Sequence, residues 1–271
     1  MTGEERAHGV TPGLCRDYAT RTADHQAAFL QPYLRPGVRL LDIGSGPGSI
    51  TVGLARAVAP GPVTGVDHDR RSVEEARERA AVAGLPDVTF HEADVRALPL
   101  PDASFDVAFE NNVFLHLADD ALTAAREAHR VLVPGGLLAA RDVDAGSVVW
   151  GQASAALQEF DRLFARWHQS RGTDLRLGRR LPAILRSAGF TVIGVSVSAD
   201  TKWRPEDVRL HGEAMVQLID GPFGADVVER QWADVPATAR LRDGVAEWMR
   251  HPDAFFANVH VEVVGRRPAT A

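Results

Sequence analysis

The sequence predicts an α/β chain built on a doubly wound sheet of seven strands, parallel except for one antiparallel strand near the C-terminal edge, and carrying a helical cap. Three observations point there. Short β-rich runs alternate with segments of helical period through the first two thirds of the chain, the rhythm of a parallel sheet covered by helices. A turn crowded with glycine, "LDIGSGPGS", follows the first of those runs directly. The chain closes on "NVHVEVVGR", an alternating run that reads as a strand. With 271 residues, 45% of them hydrophobic, the chain can bury a full core, and one domain with an elaboration is expected.

The elements follow in order. Residues 1–36 are expected to form a helical lid, with Tyr18 to Leu34 helical and Pro36 and Gly37 stopping the helix. The core, 37–145, opens on the strand "VRLLDI", and Ile50, Leu54 and Val58 then repeat every four residues along a helix. "VTGVD" is the second strand, and Asp69 is placed to cap the helix "RRSVEEARERA". "VTFHEA" and "FDVAFE" are the third and fourth strands, with Asp106 read as structural. Leu122, Ala125 and Leu132 mark a further helix opened by Asp119 and Asp120, and "GLLAARDV" is the fifth strand.

The rest departs from simple alternation. A helical cap insertion over 146–178 carries the stripe Leu157, Phe160, Leu163, Phe164 and Trp167. The core resumes over 179–199, where "LPAILRSAGF" ends a helix at Gly189 and "TVIGVSV" is a strand. A second cap segment, 200–257, holds two or three helices, with Val208, Met215 and Leu218 on one face and Leu241, Val245 and Trp248 on another. The last core strand, in 258–271, is expected to run antiparallel to 191–197 or near it.

Composition narrows the partners. A formal charge of -6, with arginines scattered along the chain, gives no basic surface for a phosphate backbone, so no nucleic acid is expected. One cysteine, Cys15, excludes an internal disulfide framework and a cysteine-rich zinc site, and no metal is expected. No run approaches the length of a membrane span, and "MTGEERAHGV" does not read as a secretory signal. No membrane is therefore expected and cytoplasm is the default location. A homodimer is compatible with the sequence.

The glycine turn carries the chemistry. It joins a strand to a helix, where missing side chains let a ligand approach backbone N–H groups, which suits a nucleotide-like molecule. A pyrophosphate calls for G-x-G-x-x-G, but here Gly44, Gly46 and Gly48 run as G-x-G-x-G with Asp42 two residues upstream. An acid there repels a pyrophosphate and suits an ammonium group, so the ligand reads as a nucleoside with a cationic amino-acid tail.

With these residues the sequence resembles the class I S-adenosylmethionine-dependent methyltransferases, in particular the small-molecule type related to the ubiquinone and menaquinone biosynthesis enzymes. "LDIGSGPGSIT" resembles their first motif and "VTGVDHD" the second. "HEADVRALPLPDASFDVAFENNVFLHL" resembles the third and fourth, "EAHRVLVPGGLLAARD" the approach to strand five, and "LGRRLPAILRSAGF" is a weaker echo. The resemblance runs from about Tyr18 to Asp144 and implies a Rossmann-like methyltransferase fold with S-adenosyl-L-methionine as cofactor. It implies that Asp42, Gly44, Ser45, Gly46 and Gly48 line the cofactor, that Asp67, with His68 beside it, accepts both ribose hydroxyls, that Asp94 and the Val95 backbone recognise adenine, and that Asn111 lies beside the methionine moiety.

Methyl transfer from a sulfonium is an in-line displacement, so few side chains need to react. His116 is placed after strand four as a candidate base, the alternative being a histidine that packs on the cofactor. Asp144, and Asp142 with it, ends strand five and is placed to orient the acceptor or bind a proton. His168 and His211 are lesser candidates. Trp150, Phe160, Phe164, Trp167 and Trp203 are placed either to wall an aromatic acceptor pocket or, as such stripes usually do, to fill a core. The cap is expected to enclose the site and to favour a small-molecule acceptor, with O-methylation ahead of C- or N-methylation, in specialised or quinone-like metabolism. Two alternatives stay open. One is the same fold binding S-adenosylmethionine for a reaction such as cyclisation. The other is a nicotinamide-dependent oxidoreductase, against which stand Asp42 and Ser49, the latter in place of a fingerprint glycine.

Overall fold

The computed structural model describes residues 21–269. They form two compact units. One contains 21–143, Arg176–Ser198 and 260–269; the other contains Asp144–Leu175 and Ala199–Val259.

The first unit is built on the sheet. Strands β1 (Leu40–Ile43), β2 (Val63–Asp67), β3 (Val88–Glu92), β4 (Phe105–Asn111) and β5 (Leu132–Val143) run parallel in the order β3-β2-β1-β4-β5. Beyond β5 lies β8 (Phe255–Arg266), antiparallel from Leu137↔Arg266 to Val143↔His260, and β7 (Thr191–Lys202) pairs with β8. These are the seven predicted strands with the predicted antiparallel partner near the C-terminal edge. All four residues of β1 are buried, because it is paired on both sides and covered on both faces. From β1 the chain steps outward to β2 and β3 and then returns to β4 on the other flank. The strand order thus reverses at β1, and in open α/β sheets ligands bind at such a reversal, here at the C-terminal ends of β1 and β4.

The helices of this unit are α1 (Ala23–Gln26), α2 (Ser49–Val58), α3 (Arg70–Val82), α4 (Phe114–Leu117), α5 (Ala121–Val131) and α7 (Leu181–Ser187). Leu54 and Val58 of α2 pack with Leu40, Val107, Phe109, Ala27 and Leu30 in one apolar cluster. Burying each large aliphatic side chain there contributes on the order of 2 kcal/mol. Asp69 caps α3 as its sequence position predicts, accepting the N–H groups of Arg71 and Ser72. Gly189 follows α7 at φ +100°, the left-handed conformation expected of it. Asp106 is structural, gripping Arg39 through Nε, Nη2 and the backbone N–H.

Several local expectations need correction. Residues 1–20 of the expected lid, Tyr18 included, lie outside the described residues, and 21–34 do not form one helix. Pro32, with no N–H to donate, sits in a 3-10 turn at Gln31–Tyr33 that follows the four-residue α1. Asp120 does not cap α5: its own backbone is already helical (φ -77°, ψ -6°), and its carboxylate accepts from Arg96 instead. Leu132 begins β5 and does not end the helix.

The second unit is helical: α6 (Ala155–Gln169), α8 (Pro205–Ile219), α9 (Pro222–Glu229) and α10 (Val235–Arg250). Ser154 caps α6 and Asp234 caps α10. Leu157, Phe160, Leu163 and Trp167 of α6 meet Val208, Met215, Leu218, Phe223, Leu241, Val245 and Trp248 in its core. The aromatic stripe therefore fills the unit, with Trp150 and Phe164 packed at its margin, while Trp203 is 61% exposed. Each buried indole finds an acceptor, Trp167 at Asp226 and Trp248 at the Gly151 carbonyl, as burial of a polar tip demands. A short strand that the sequence did not announce, β6 (Val149–Gly151), pairs antiparallel with Phe255–Ala257. Among the described residues no helix is long and apolar enough to cross a membrane.

Candidate functional site

The loop after β1 owes its shape to three glycines in the left-handed region, Gly44 at φ +68°, Gly46 at +51° and Gly48 at +77°. The N–H groups of Gly44 and Ser45 both donate to the Val66 carbonyl, which ties the loop to β2. Gly44 is also short of room, since a Cβ there would stand 2.3 Å from Cγ2 of Val113. Gly48 is pressed on Ala76 and Phe90 of the neighbouring elements. At Gly46 a Cβ would meet nothing within 4 Å. Protein packing therefore explains two of the glycines, and the third leaves an open face over the backbone.

Asp67 meets that loop directly, and the charge of Asp67 acts on a second acid, Asp42. Asp67, at the end of β2, accepts the Gly46 N–H on Oδ2 at 2.8 Å and the Asp69 N–H on Oδ1 at 2.9 Å. Burial pushes its carboxyl up, but the hydrogen bonds from His68, Asp69 and Gly46 outweigh this and hold it below the usual carboxylate range. His68 Nδ1 lies 3.3 Å from Asp67 Oδ1, and that bond raises the affinity of the largely exposed imidazole for its proton. Asp42, in β1, is almost wholly buried and accepts the Thr51 hydroxyl at 2.6 Å. Burial raises its carboxyl to about 7, against the Thr51 bond and with help from the charge of Asp67.

Asp94 follows β3 beside the buried Val95, but its carboxylate is committed to Arg96, which binds it through Nε, Nη2 and the backbone N–H. Arg96 also reaches Asp120, so an arginine absent from the sequence reading organises this corner. A pairing across 24 residues of chain leaves no local signal.

At the C-terminal ends of β4 and β5 lies a group of buried polar residues. Glu110 accepts the N–H groups of Val113 and Arg141, and Asp142 accepts that of Leu115. Neither carboxyl has any surface, and burial first, with the Asp142 charge second, pushes Glu110 well above its usual range. Asp142, paired with Asp144 in the sequence reading, is thus wholly buried at the end of β5. Asn111 accepts Arg141 Nη1 on Oδ1 at 2.9 Å. His116 is exposed on α4. Asp144 belongs to the helical unit, where it is buried and caps the 3-10 turn Ala145–Ser147 through the Gly146 N–H.

Ser45 Oγ and Asn111 Nδ2 are buried polar atoms with no hydrogen-bond partner among the described residues. Both stand at the ends of strands that are neighbours in the sheet, β1 and β4. With the open backbone at Gly46 and the acids Asp42 and Asp67, they offer donors, acceptors and space suited to a nucleoside with an amino-acid tail.

Residues 40–136, from β1 into β5, match the family model of a methyltransferase domain. The chain is also 30% identical over 273 residues to a protein of Aspergillus luteorubrus named "Probable methyltransferase ltbC", covering 90% of this chain and 91% of that one. It belongs to the class I S-adenosylmethionine-dependent methyltransferases. More particularly, it is 41% identical over 146 residues to 27-O-demethylrifamycin SV methyltransferase of Amycolatopsis mediterranei, across 52% of each chain. Among solved structures it is similar to the [4+2]-cyclase SpnF, with a TM-score of 0.53 and 26% identity over 94% of this chain and 80% of that one.

Proposed function

We propose that this methyltransferase acts on a small organic acceptor of specialised or quinone-like metabolism, with oxygen the favoured acceptor atom and carbon or nitrogen following. The observation that carries the reading is the seat of Asp67 on the Gly46 N–H, which brings an acid and an open glycine backbone to one place. Likeness to a 27-O-demethylrifamycin methyltransferase supports oxygen and a specialised metabolite. S-adenosylmethionine supplies an electrophilic methyl group on a sulfonium.

The residues of this chain have distinct tasks. Asp67 holds the ribose hydroxyls on its remaining lone pair and on the one that His68 gives up. Asp42, with Thr51 behind it, faces the ammonium end. Gly44, Ser45, Gly46 and Gly48 give the backbone close access, and Asp94 with Val95 takes the adenine, Asp94 sharing its oxygens with Arg96. Asn111 lies at the methionine moiety. His116 is the proposed base for the acceptor proton, and Asp144 is proposed to orient the acceptor.

The test is incubation with isotopically labelled methyl donor and panels of phenols, polyketides and amines, read by mass spectrometry. A labelled O-methyl product is the expected outcome. A product of unchanged mass but altered connectivity would favour the second reading, cyclisation on the same fold, which the likeness to SpnF supports. The loop supplies a further prediction. Gly44→Ala forces a methyl into Val113 and is expected to lower the melting temperature by several degrees. Gly46→Ala adds only backbone strain of about 1–2 kcal/mol, yet places its methyl on the open face and is expected to weaken S-adenosylhomocysteine binding more than tenfold (about 1.4 kcal/mol). Calorimetry and thermal melts on both variants check this.

A further inference from the structure

A polar ladder, buried on β4, β5 and β8 and reaching the half-buried Ser198 of β7, crosses four strands at one end of the sheet. Asn111 of β4 pairs in register with Arg141 of β5, and Arg141 with Glu262 of β8. The Arg141 guanidinium has no solvent exposure. It donates to Asn111 Oδ1, meets Ser198 Oγ of β7 at 3.3 and 3.4 Å, and approaches Glu262 Oε1 to 3.5 Å. Glu262 in turn accepts the Ser196 hydroxyl at 2.6 Å. Burying a guanidinium is expensive, and an aliphatic side chain would fill this space with less desolvation, so the ladder points to a task beyond packing.

Asn111 is where the ladder ends. An amide side chain can be turned either way, but arginine only donates, so Oδ1 must face Arg141 and Nδ2 must face away. That leaves a buried N–H donor with no partner among the described residues. The turn that follows reaches the glycine loop, where Val113 blocks any side chain at Gly44.

We propose that Arg141 is a positioning residue. It locks the Asn111 amide so that Nδ2 donates to the carboxylate at the amino-acid end of the methyl donor. The inference rests on the proposed cofactor site, in which Asp94 follows β3, Asp67 ends β2 and the glycine loop follows β1. In the order β3-β2-β1-β4 the ligand lies across the strand ends, and the amino-acid end falls to β4. Of its two charged groups the carboxylate is the one an N–H donor recognises, as the ammonium is the one Asp42 recognises.

The test compares S-adenosylhomocysteine with 5′-methylthioadenosine, which lacks the amino-acid end, by calorimetry. Asn111→Asp keeps an acceptor for Arg141 and replaces the donor with a second acceptor. It is expected to weaken S-adenosylhomocysteine about ten- to a hundredfold and to leave methylthioadenosine within about twofold. Arg141→Lys keeps the charge but loses the planar fork, and is expected to cause a smaller loss with the same selectivity. Equal losses for both ligands, or none, would overturn the inference. Should Arg141→Lys not fold, the Asn111 side-chain amide resonances of the unaltered protein decide: they should shift with S-adenosylhomocysteine and not with methylthioadenosine. An unaltered protein that binds neither ligand would instead overturn the cofactor site itself.

Discussion

Asp67→Ala is expected to weaken S-adenosylhomocysteine binding by at least tenfold, and by about a hundred- to ten-thousandfold if both ribose hydroxyls lose a charge-assisted bond (about 1.5–3 kcal/mol each). The carboxylate has about four acceptor sites; the N–H groups of Gly46 and Asp69 occupy two and His68 Nδ1 a third. One site is left open, so a diol seats both hydroxyls by displacing the largely exposed His68 ring. Removing the carboxylate also strands those two N–H groups, so the glycine loop and the start of α3 would lose their shared anchor. Asp67→Asn separates the effects, because it keeps one acceptor and the size while losing the charge. It should fall between wild type and alanine in affinity. The melting temperature supplies a second readout. Since the folded Asp67 carboxyl is held below its ordinary value of 3.8, its stabilising contribution is fully present above that pH and is lost as pH falls through the lower folded value. Wild type should therefore lose stability on acidification below about pH 4 more steeply than Asp67→Asn. Unchanged calorimetric affinity in Asp67→Ala would remove the ribose role.

What the sequence made legible here was short-range and periodic. Short β-rich runs set between helical segments located all seven strands, and the N-cap at Asp69 and the left-handed Gly189 follow from local chemistry that needs no tertiary partner. The failures were long-range. Asp119 and Asp120 carry a capping composition, yet Arg96, distant in sequence, recruits Asp120. Strand β6 has only three residues, too few to show a period, and exists because β8 offers it an edge. The aromatic stripe on α6 could not reveal its partners until α8, α9 and α10 were seen to close over it. In the candidate site, the glycines and Asp67 stood out because a ligand-facing turn demands unusual residues. Arg141 did not: in "LLAARDV" it looks like a surface interruption of a strand, and only pairing with Asn111 and Glu262 shows why a charge is buried there. The meeting of Glu110 with Asp142 was hidden in the same way, since two acids 32 positions apart meet only across neighbouring strands.

The affinity for S-adenosylhomocysteine is expected to rise with pH by about tenfold per unit below 7 and to level off above it. Asp42 is the cause. In the free protein burial holds its carboxyl at about 7, so below that pH it is mostly a neutral acid, stabilised in that form by its dry surroundings. An ammonium group beside it favours the carboxylate, so binding must expel the proton, and the lower the pH the more that expulsion costs. At pH 6 close to one proton (about 0.9) should leave on binding, measurable as a dependence of the calorimetric heat on the ionisation enthalpy of the buffer. The plateau should persist until the ligand's own ammonium loses its proton. His68, whose affinity for a proton is raised by Asp67, is a second proton-binding group beside the site, so the profile is to be repeated in His68→Gln. Stability runs the other way. A folded value raised above 3.8 favours the folded state fully below that pH, and the advantage is lost as pH rises through about 7. Binding therefore strengthens over the range in which the free protein weakens, because the same charge is costly without a partner and useful with one. Asp42→Asn should flatten both curves, and a wild-type affinity that does not vary between pH 5 and 7 (about two units) would exclude Asp42 from the ammonium site.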